Sequence, residues 1–168
     1  MDTYMVIFRV VHIFFGVFWV GAALFLTFLV GPAARRAGSA GVPFLLNLYG
    51  SNAFAGVMAG GAILTTITGL ALWDRVSNHF NADWFQADSA IVLTVGAIAG
   101  LLAAGHGLFA FNKYTRQAKQ LSQEVSGELN AEQSSTLATI QQKIMVNSYV
   151  AVGLMTVSVI GMSAARYV

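Results

Sequence analysis

The sequence predicts an all-α protein, a bundle of four transmembrane helices, on three observations. Hydrophobic residues make up 57% of its 168 residues and charged residues only 10%, against about 25% charged in a typical soluble domain. The apolar residues gather into four stretches of 22 to 27 residues, and a bilayer-spanning helix needs about 20. Both prolines, Pro32 and Pro43, fall in the loop after the first stretch, so no stretch is interrupted. A soluble chain of this size leaves roughly 30% of its surface in water, too little burial for this composition.

The first span is expected at Tyr4–Val30. It is too long for the core of a cleavable signal, about 7–15 residues, and its basic residues, Arg35 and Arg36, come after it. The second, third and fourth spans are expected at Asn52–Trp73, Ala87–Asn112 and Ile144–Ala165. Tyr4, Tyr49, Trp73, Trp84, Tyr114 and Tyr167 mark their ends, as rings at headgroup level do. Residues 1–168 thus read as a single integral membrane domain.

Basic residues set the expected orientation. Arg35, Arg36, Lys113, Arg116, Lys119 and Lys143 fall on one side, and Arg9, Arg75 and Arg166 on the other. Lys and Arg accumulate in cytoplasmic loops. Both termini are therefore expected on the outer, periplasmic side of a bacterial cytoplasmic (inner) membrane.

Between the third and fourth spans, residues 113–143 read as a cytoplasmic helical hairpin. Leu121 and Val125 share one stripe of its first arm, Ser126-Gly127 breaks it, and Asn130 with Gln133 resembles a capping box. Leu137, Ile140 and Ile144 form the stripe of the second arm. Each arm projects roughly 20 Å at 1.5 Å per residue. The hairpin serves either as a polar connector or as a docking handle for another membrane subunit. The outer loop, Asp74 to Asp88, carries His79, Phe80, Trp84 and Phe85 and suits an interfacial position, aromatic face down.

Helices in lipid associate through close backbone approach. Gly56-x-x-x-Gly60 with Gly61, and Gly96-x-x-x-Gly100 with Ala104, are the expected contact faces within the bundle or toward other subunits.

Ionisable groups are costly in lipid and seldom idle there, which draws attention to His12 and His106. Gly16 and Trp19 share the helix face of His12. A hollow, an imidazole and an aromatic wall suit the edge of a porphyrin or quinone ring. The plain alternative is a hydrogen bond to a neighbouring span, through Thr68, Ser158 or Ser163. His106 lies between Gly105 and Gly107, which clear space around it; hydrogen bonds to Asn112, Asn147 or Tyr149 would satisfy it equally.

One iron shared by His12 and His106 is not expected. They sit about eight and about 19 residues from the outer ends of parallel spans, a depth difference of roughly 15 Å. Separate partners follow: His79, Met155 or Met162 for His12, and Met58, Tyr149 or water for His106. Arg9, three residues before His12, either holds an anionic cofactor group or snorkels to headgroups. His12, His106 and His79 are the candidate metal ligands.

The chain has no cysteine. That excludes disulfides, thiolate zinc sites, iron–sulfur clusters and covalent c-type haem. No phosphate loop, nucleophile elbow or zinc-protease motif is present, and the net charge of +2 does not suggest nucleic-acid binding.

The segment Arg9-Val-Val-His12-Ile-Phe-Phe-Gly16-Val-Phe-Trp19-Val-Gly21-Ala-Ala-Leu-Phe25, ending in Gly31-Pro32-Ala-Ala-Arg35-Arg36, resembles the first helix of a family of small bacterial four-helix integral membrane proteins. It is also similar to that of CopD-type copper-resistance domains and HemJ-type protoporphyrinogen oxidases. The resemblance implies that His12 binds haem in the HemJ-like case and copper in the CopD-like case. HemJ-type proteins pair this histidine with a lysine of a later helix. Here the third span carries His106, with Lys113 at its inner edge, so the oxidase activity is not carried over.

The leading expectation is a membrane-embedded b-type haem or redox protein, alone or as a subunit of a larger electron-transfer complex. Haem b is the expected cofactor, with copper or a quinone as alternatives. A non-catalytic accessory subunit and a copper-handling protein are the competing functions.

Overall fold

A computed structural model of the chain describes residues 3–124 and 130–168, without the side chains of residues 39, 42, 43, 111 and 122. The described residues are almost entirely helical. Helix α1 (Thr3–Phe25) runs through a π-helical turn (Leu26–Val30) into α2 (Gly31–Arg36). Pro32 sits in the first turn of α2, where its missing N–H costs no intrahelical bond. Helix α3 (Gly41–Gly50) replaces the loop expected there. Helix α4 (Asn52–Val76) begins where Ser51 Oγ accepts from Phe54 N at 3.3 Å. After a short 3-10 turn (Ala82–Gln86), α5 (Asp88–His106) passes through a second π-turn (Gly107–Phe111) into α6 (Asn112–Glu124). Helix α7 (Ala131–Ala164) completes the chain.

Four helical runs are long and apolar enough to cross a membrane: Thr3–Arg36, Asn52–Val76, Asp88–Leu121 and Ala131–Ala164. Three of them reach well beyond the apolar stretches, because α2, α6 and the start of α7 extend them as polar helix. The expected capping box is present: Asn130 Oδ1 accepts from Gln133 N at 2.8 Å, and Gln133 Oε1 accepts from Asn130 N at 3.1 Å. Leu137, Ile140 and Ile144 are buried against Ala118 and Leu121, with Leu46 and Tyr49 of α3 beside them. The hairpin arms therefore pack on one another. Val125 and the Ser126-Gly127 break lie outside the described residues.

The spans form two tight pairs, α1 with α4 and α5 with α7, and meet more sparsely across pairs. Glycine explains the tightness. A methyl group on Gly161 of α7 would stand 2.9 Å from Gly96 Cα, and one on Gly96 would stand 2.9 Å from Met162 N. Those two backbones touch. In the other pair, Gly61 lies against Trp19, Gly16 against Thr65, and Gly69 against the ring of His12.

Of the two expected glycine faces, Gly96-x-x-x-Gly100 makes an interhelix contact. Gly56 and Gly60 do not, having nothing within 4 Å. Gly61 takes their place, about 100° further round the helix.

At the end of the bundle that carries the described termini, the loop after α4 turns on three consecutive left-handed residues, Asn78, His79 and Phe80, with φ of 51°, 59° and 57°. Such residues cost roughly 1–2 kcal/mol each. Buried Ser77 holds them in place, its Oγ accepting from Phe80 N at 2.9 Å and donating to Asp74 O at 3.2 Å.

The glycine pairing makes a stability prediction. Gly161→Ala should destabilise the protein in nanodiscs by about 1–3 kcal/mol, the usual cost of overpacking. Gly60→Ala should leave the thermal midpoint unchanged or slightly raised. Equal losses in both variants would contradict the pairing.

Candidate cofactor site

Two tight pairs that meet sparsely leave space between them, and His12 lines it. A cavity of about 380 Å³ lies between the pairs, walled by His12, Gly16, Trp19, Trp73, Leu101, Met155 and Met162 among others. That volume falls within the roughly 300–1,000 Å³ typical of small-molecule and cofactor sites. It adjoins a wider recess of about 730 Å³ at the terminal end, lined by His12, Trp73, Trp84, Met162, Arg9 and Arg166.

The His12 ring is fixed on two sides. Its Nδ1 lies 2.8 Å from the carbonyl oxygen of Thr65. A carbonyl only accepts, so Nδ1 carries the proton and donates. Thr68 Oγ1, which donates to Leu64 O at 2.6 Å, is a longer second neighbour at 3.5 Å. Nε2 is left with a lone pair and no hydrogen-bond partner among the described residues. Gly69 permits this: a methyl group there would come within 2.7 Å of the ring's Cε1. Metal-bound histidines characteristically donate their other ring N–H to a carbonyl or carboxylate.

Two buried polar atoms in the cavity wall are unsatisfied, Trp73 Nε1 and Thr65 Oγ1. An unmade hydrogen bond of this kind costs about 1–3 kcal/mol. Both could be met by an acceptor or hydroxyl on a bound molecule. At the mouth, Arg9 and Arg166 bring two exposed cations to one recess, and no carboxylate among the described residues pairs with either.

The histidines are kept apart. His106 lines a smaller cavity of about 90 Å³ toward the hairpin end, with Met58, Asn112 and Asn147. Its Nε2 lies 3.3 Å from the carbonyl oxygen of Asn147, so Nε2–H donates and Nδ1 keeps the lone pair. Trp19 and Met155 line both cavities and form the partition between them. Tyr149 lines neither; it packs on Phe28, ring centroids 5.8 Å apart, on an exposed face.

His79 belongs to neither site. It is exposed on the loop, with Nδ1 3.1 Å from Asp74 Oδ2. Among the described residues no three His, Asp or Glu side chains converge. Thr65, Gly69, Trp73 and Arg166 carry no motif that points to His12. The one sequence signal was the hydroxyl cluster Thr65-Thr66-x-Thr68 inside an apolar span.

Tyr49 stands on α3 at the hairpin end, outside the spans. Burial pushes its phenol above the ordinary 10.0, an effect that the nearby Arg35 cation partly offsets.

Comparison with protein-family models, curated proteins and solved structures found no match to this chain.

Two measurements probe this geometry. In nitrogen-15 NMR of histidine-labelled protein, His12 should show the Nδ1-protonated tautomer. Gly69→Ala should displace the ring and mix the tautomers, whereas an Nε2-protonated wild type would contradict the Thr65 contact. In alkaline titration followed by tyrosine absorbance, one component should ionise above 10.0 and vanish in Tyr49→Phe. The unfolded state loses that proton first, so this group's contribution to stability, intact below pH 10.0, should decline as pH rises beyond it.

Proposed function

We propose that the protein is a membrane-embedded b-type haem protein that carries electrons, in which His12 Nε2 would hold the iron. One observation carries the reading: a histidine whose tautomer is fixed by a backbone carbonyl borders an apolar cavity of cofactor size.

The donor set fits the group. Trp19, Trp73 and Leu101 supply flat and aliphatic walls, and Met155 and Met162 bring thioethers to the same cavity. Arg9 and Arg166 at the mouth suit two propionates. Haem bound here would supply a one-electron couple whose potential the residues holding it would tune. The chain's residues do the rest. Thr65 O orients His12 and raises its basicity, and the apolar wall excludes water. The arginines hold the anionic edge at the headgroup level.

Six Lys and Arg at the hairpin end against three at the terminal end support an orientation with the haem mouth on the outer side of a bacterial inner membrane. A second reading, an accessory subunit, draws on the open Gly56 and Gly60 face, which offers another helix close approach.

The test is a dithionite-reduced minus oxidised spectrum of protein purified gently from haem-replete cells. A b-type α band is expected. His12→Ala should abolish it, and His79→Ala and His106→Ala should keep it. Removing Arg9 or Arg166 should weaken haem retention by about tenfold, the equivalent of about 1.4 kcal/mol. A flat wild-type spectrum, or a band that survives His12→Ala, would overturn the assignment. In the flat case, stable co-purification of larger membrane subunits would favour the accessory reading.

A further inference from the structure

The His106 cavity is too small for the cofactor proposed above, and its wall, apolar for the most part, carries a few polar groups beside the histidine. Asn112, Asn147 and Ser148 line it, and His106 and Tyr49 are its two ionisable residues. The side-chain amides of Asn112 and Asn147 turn their N–H groups back to Leu108 O and Lys143 O, at 2.6 and 2.7 Å. Their amide oxygens are thereby left as acceptors. About 90 Å³ holds several water molecules, each needing at least about 10–15 Å³.

The cavity has a neck. A further pocket of about 30 Å³ shares Leu26, Thr27, Tyr49 and Ser148 with it and continues to Arg35 and Gln141 at the hairpin end. At the other end Trp19 and Met155 close it off from the His12 cavity. Two π-turns border it, one contributing Leu26 and Thr27 and the other Gly107 and Leu108. Such turns widen a helix locally and recur at functional sites. The result is a narrow, water-sized passage, with polar groups set along a mostly apolar wall, that runs from the hairpin end to a histidine.

We propose that this passage is a proton inlet and that His106 Nδ1 is its terminal acceptor. Water entering past Tyr49 and Ser148 delivers a proton to the Nδ1 lone pair, while Nε2–H stays on Asn147 O. Imidazole becomes imidazolium, and the proton comes from bulk water at the hairpin end. Its coupling to electron transfer rests on the haem reading: an electron from an added reductant brings one negative charge into the bundle, and one proton on His106 balances it. Among the described residues lining the cavity with His106, Tyr49 on α3 is the other ionisable group, and Arg35 stands at the outer end of the neck.

The proton site is tested first without haem. Cofactor-free protein labelled with nitrogen-15 histidine is titrated in nanodiscs, with His106 assigned by the loss of its signals in His106→Gln. His106 Nδ1 should take up a proton reversibly as the solution is acidified, while Nε2–H is retained. Ser148→Leu, which fills the neck, should slow its exchange with water by about tenfold and leave His12 unaffected. Thr27→Leu narrows the same neck from α1's side and serves if Ser148→Leu fails to fold. A His106 that stays neutral throughout, or exchange unchanged by a folded neck variant, would overturn the proposal. Haem-loaded protein should then take up about one proton per electron on dithionite reduction, read with a pH dye, and His106→Gln should abolish that uptake. If no haem is found, the titration still decides the proton site. If haem is found and the titration fails, the inlet falls and the haem site stands.

Discussion

Backbone contact between small residues governs the arrangement of this bundle. In lipid there is no hydrophobic drive to bring spans together, so they hold where their surfaces approach most closely. Gly96 against Gly161, and Gly61 and Gly69 against Trp19 and His12, draw the spans into two pairs. A helix pair that is close at its glycines has its larger side chains displaced to the flanks. Between the pairs those flanks meet as Trp, Met, Leu and His without filling the volume, and the cavities follow. Gly69 is central to this arrangement, because the same missing methyl group sets the helix separation and seats the His12 ring.

The two histidines end up with opposite local chemistry although both ring contacts are to backbone carbonyls. His12 donates from Nδ1 and keeps Nε2 free, beside methionines and aromatic walls. His106 donates from Nε2 and keeps Nδ1 free, beside amides and hydroxyls. Nε2 projects furthest from the helix that bears it and suits an approaching metal. Nδ1, closer to the backbone, suits a small visitor such as water. The partition of Trp19 and Met155 keeps the two cavities separate.

Much of the fold was legible because length and composition suffice to define a span, and because Asn130 with Gln133, and the stripe Leu137, Ile140 and Ile144, are local signals. Helix α3 was not. Gly41, Pro43 and Gly50 punctuate it, and its helicity comes from packing Leu46 and Tyr49 against the hairpin, a contact about 70–100 residues away in sequence. The glycine motif on α4 was legible only in part, for a different reason. Three glycines at Gly56, Gly60 and Gly61 permit two faces, and only the facing surface of α1 selects between them. Of the site, His12, Gly16, Trp19 and Met155 were legible as a face and a depth. Trp73 and Arg166 were not, since they reach the cavity from the far ends of other spans, where they read as interfacial anchors.

The ends of the bundle differ because different forces close them. At the hairpin end polar α6 carries Ala118 and Leu121 against Leu137, Ile140 and Ile144. Outside lipid the hydrophobic effect operates, and each fully buried Leu or Ile contributes about 1.5–3 kcal/mol. That cluster also pins α3, which sets Tyr49 at the neck and leaves a passage of only about 30 Å³. Among the described residues the terminal end has no such cluster. Its loop is held by Ser77 and by left-handed backbone, which fix a turn without drawing spans together. The recess there stays open at about 730 Å³. A wide recess at one end and a narrow neck at the other thus arise from one asymmetry, a hydrophobic clamp that, among the described residues, stands at the hairpin end alone.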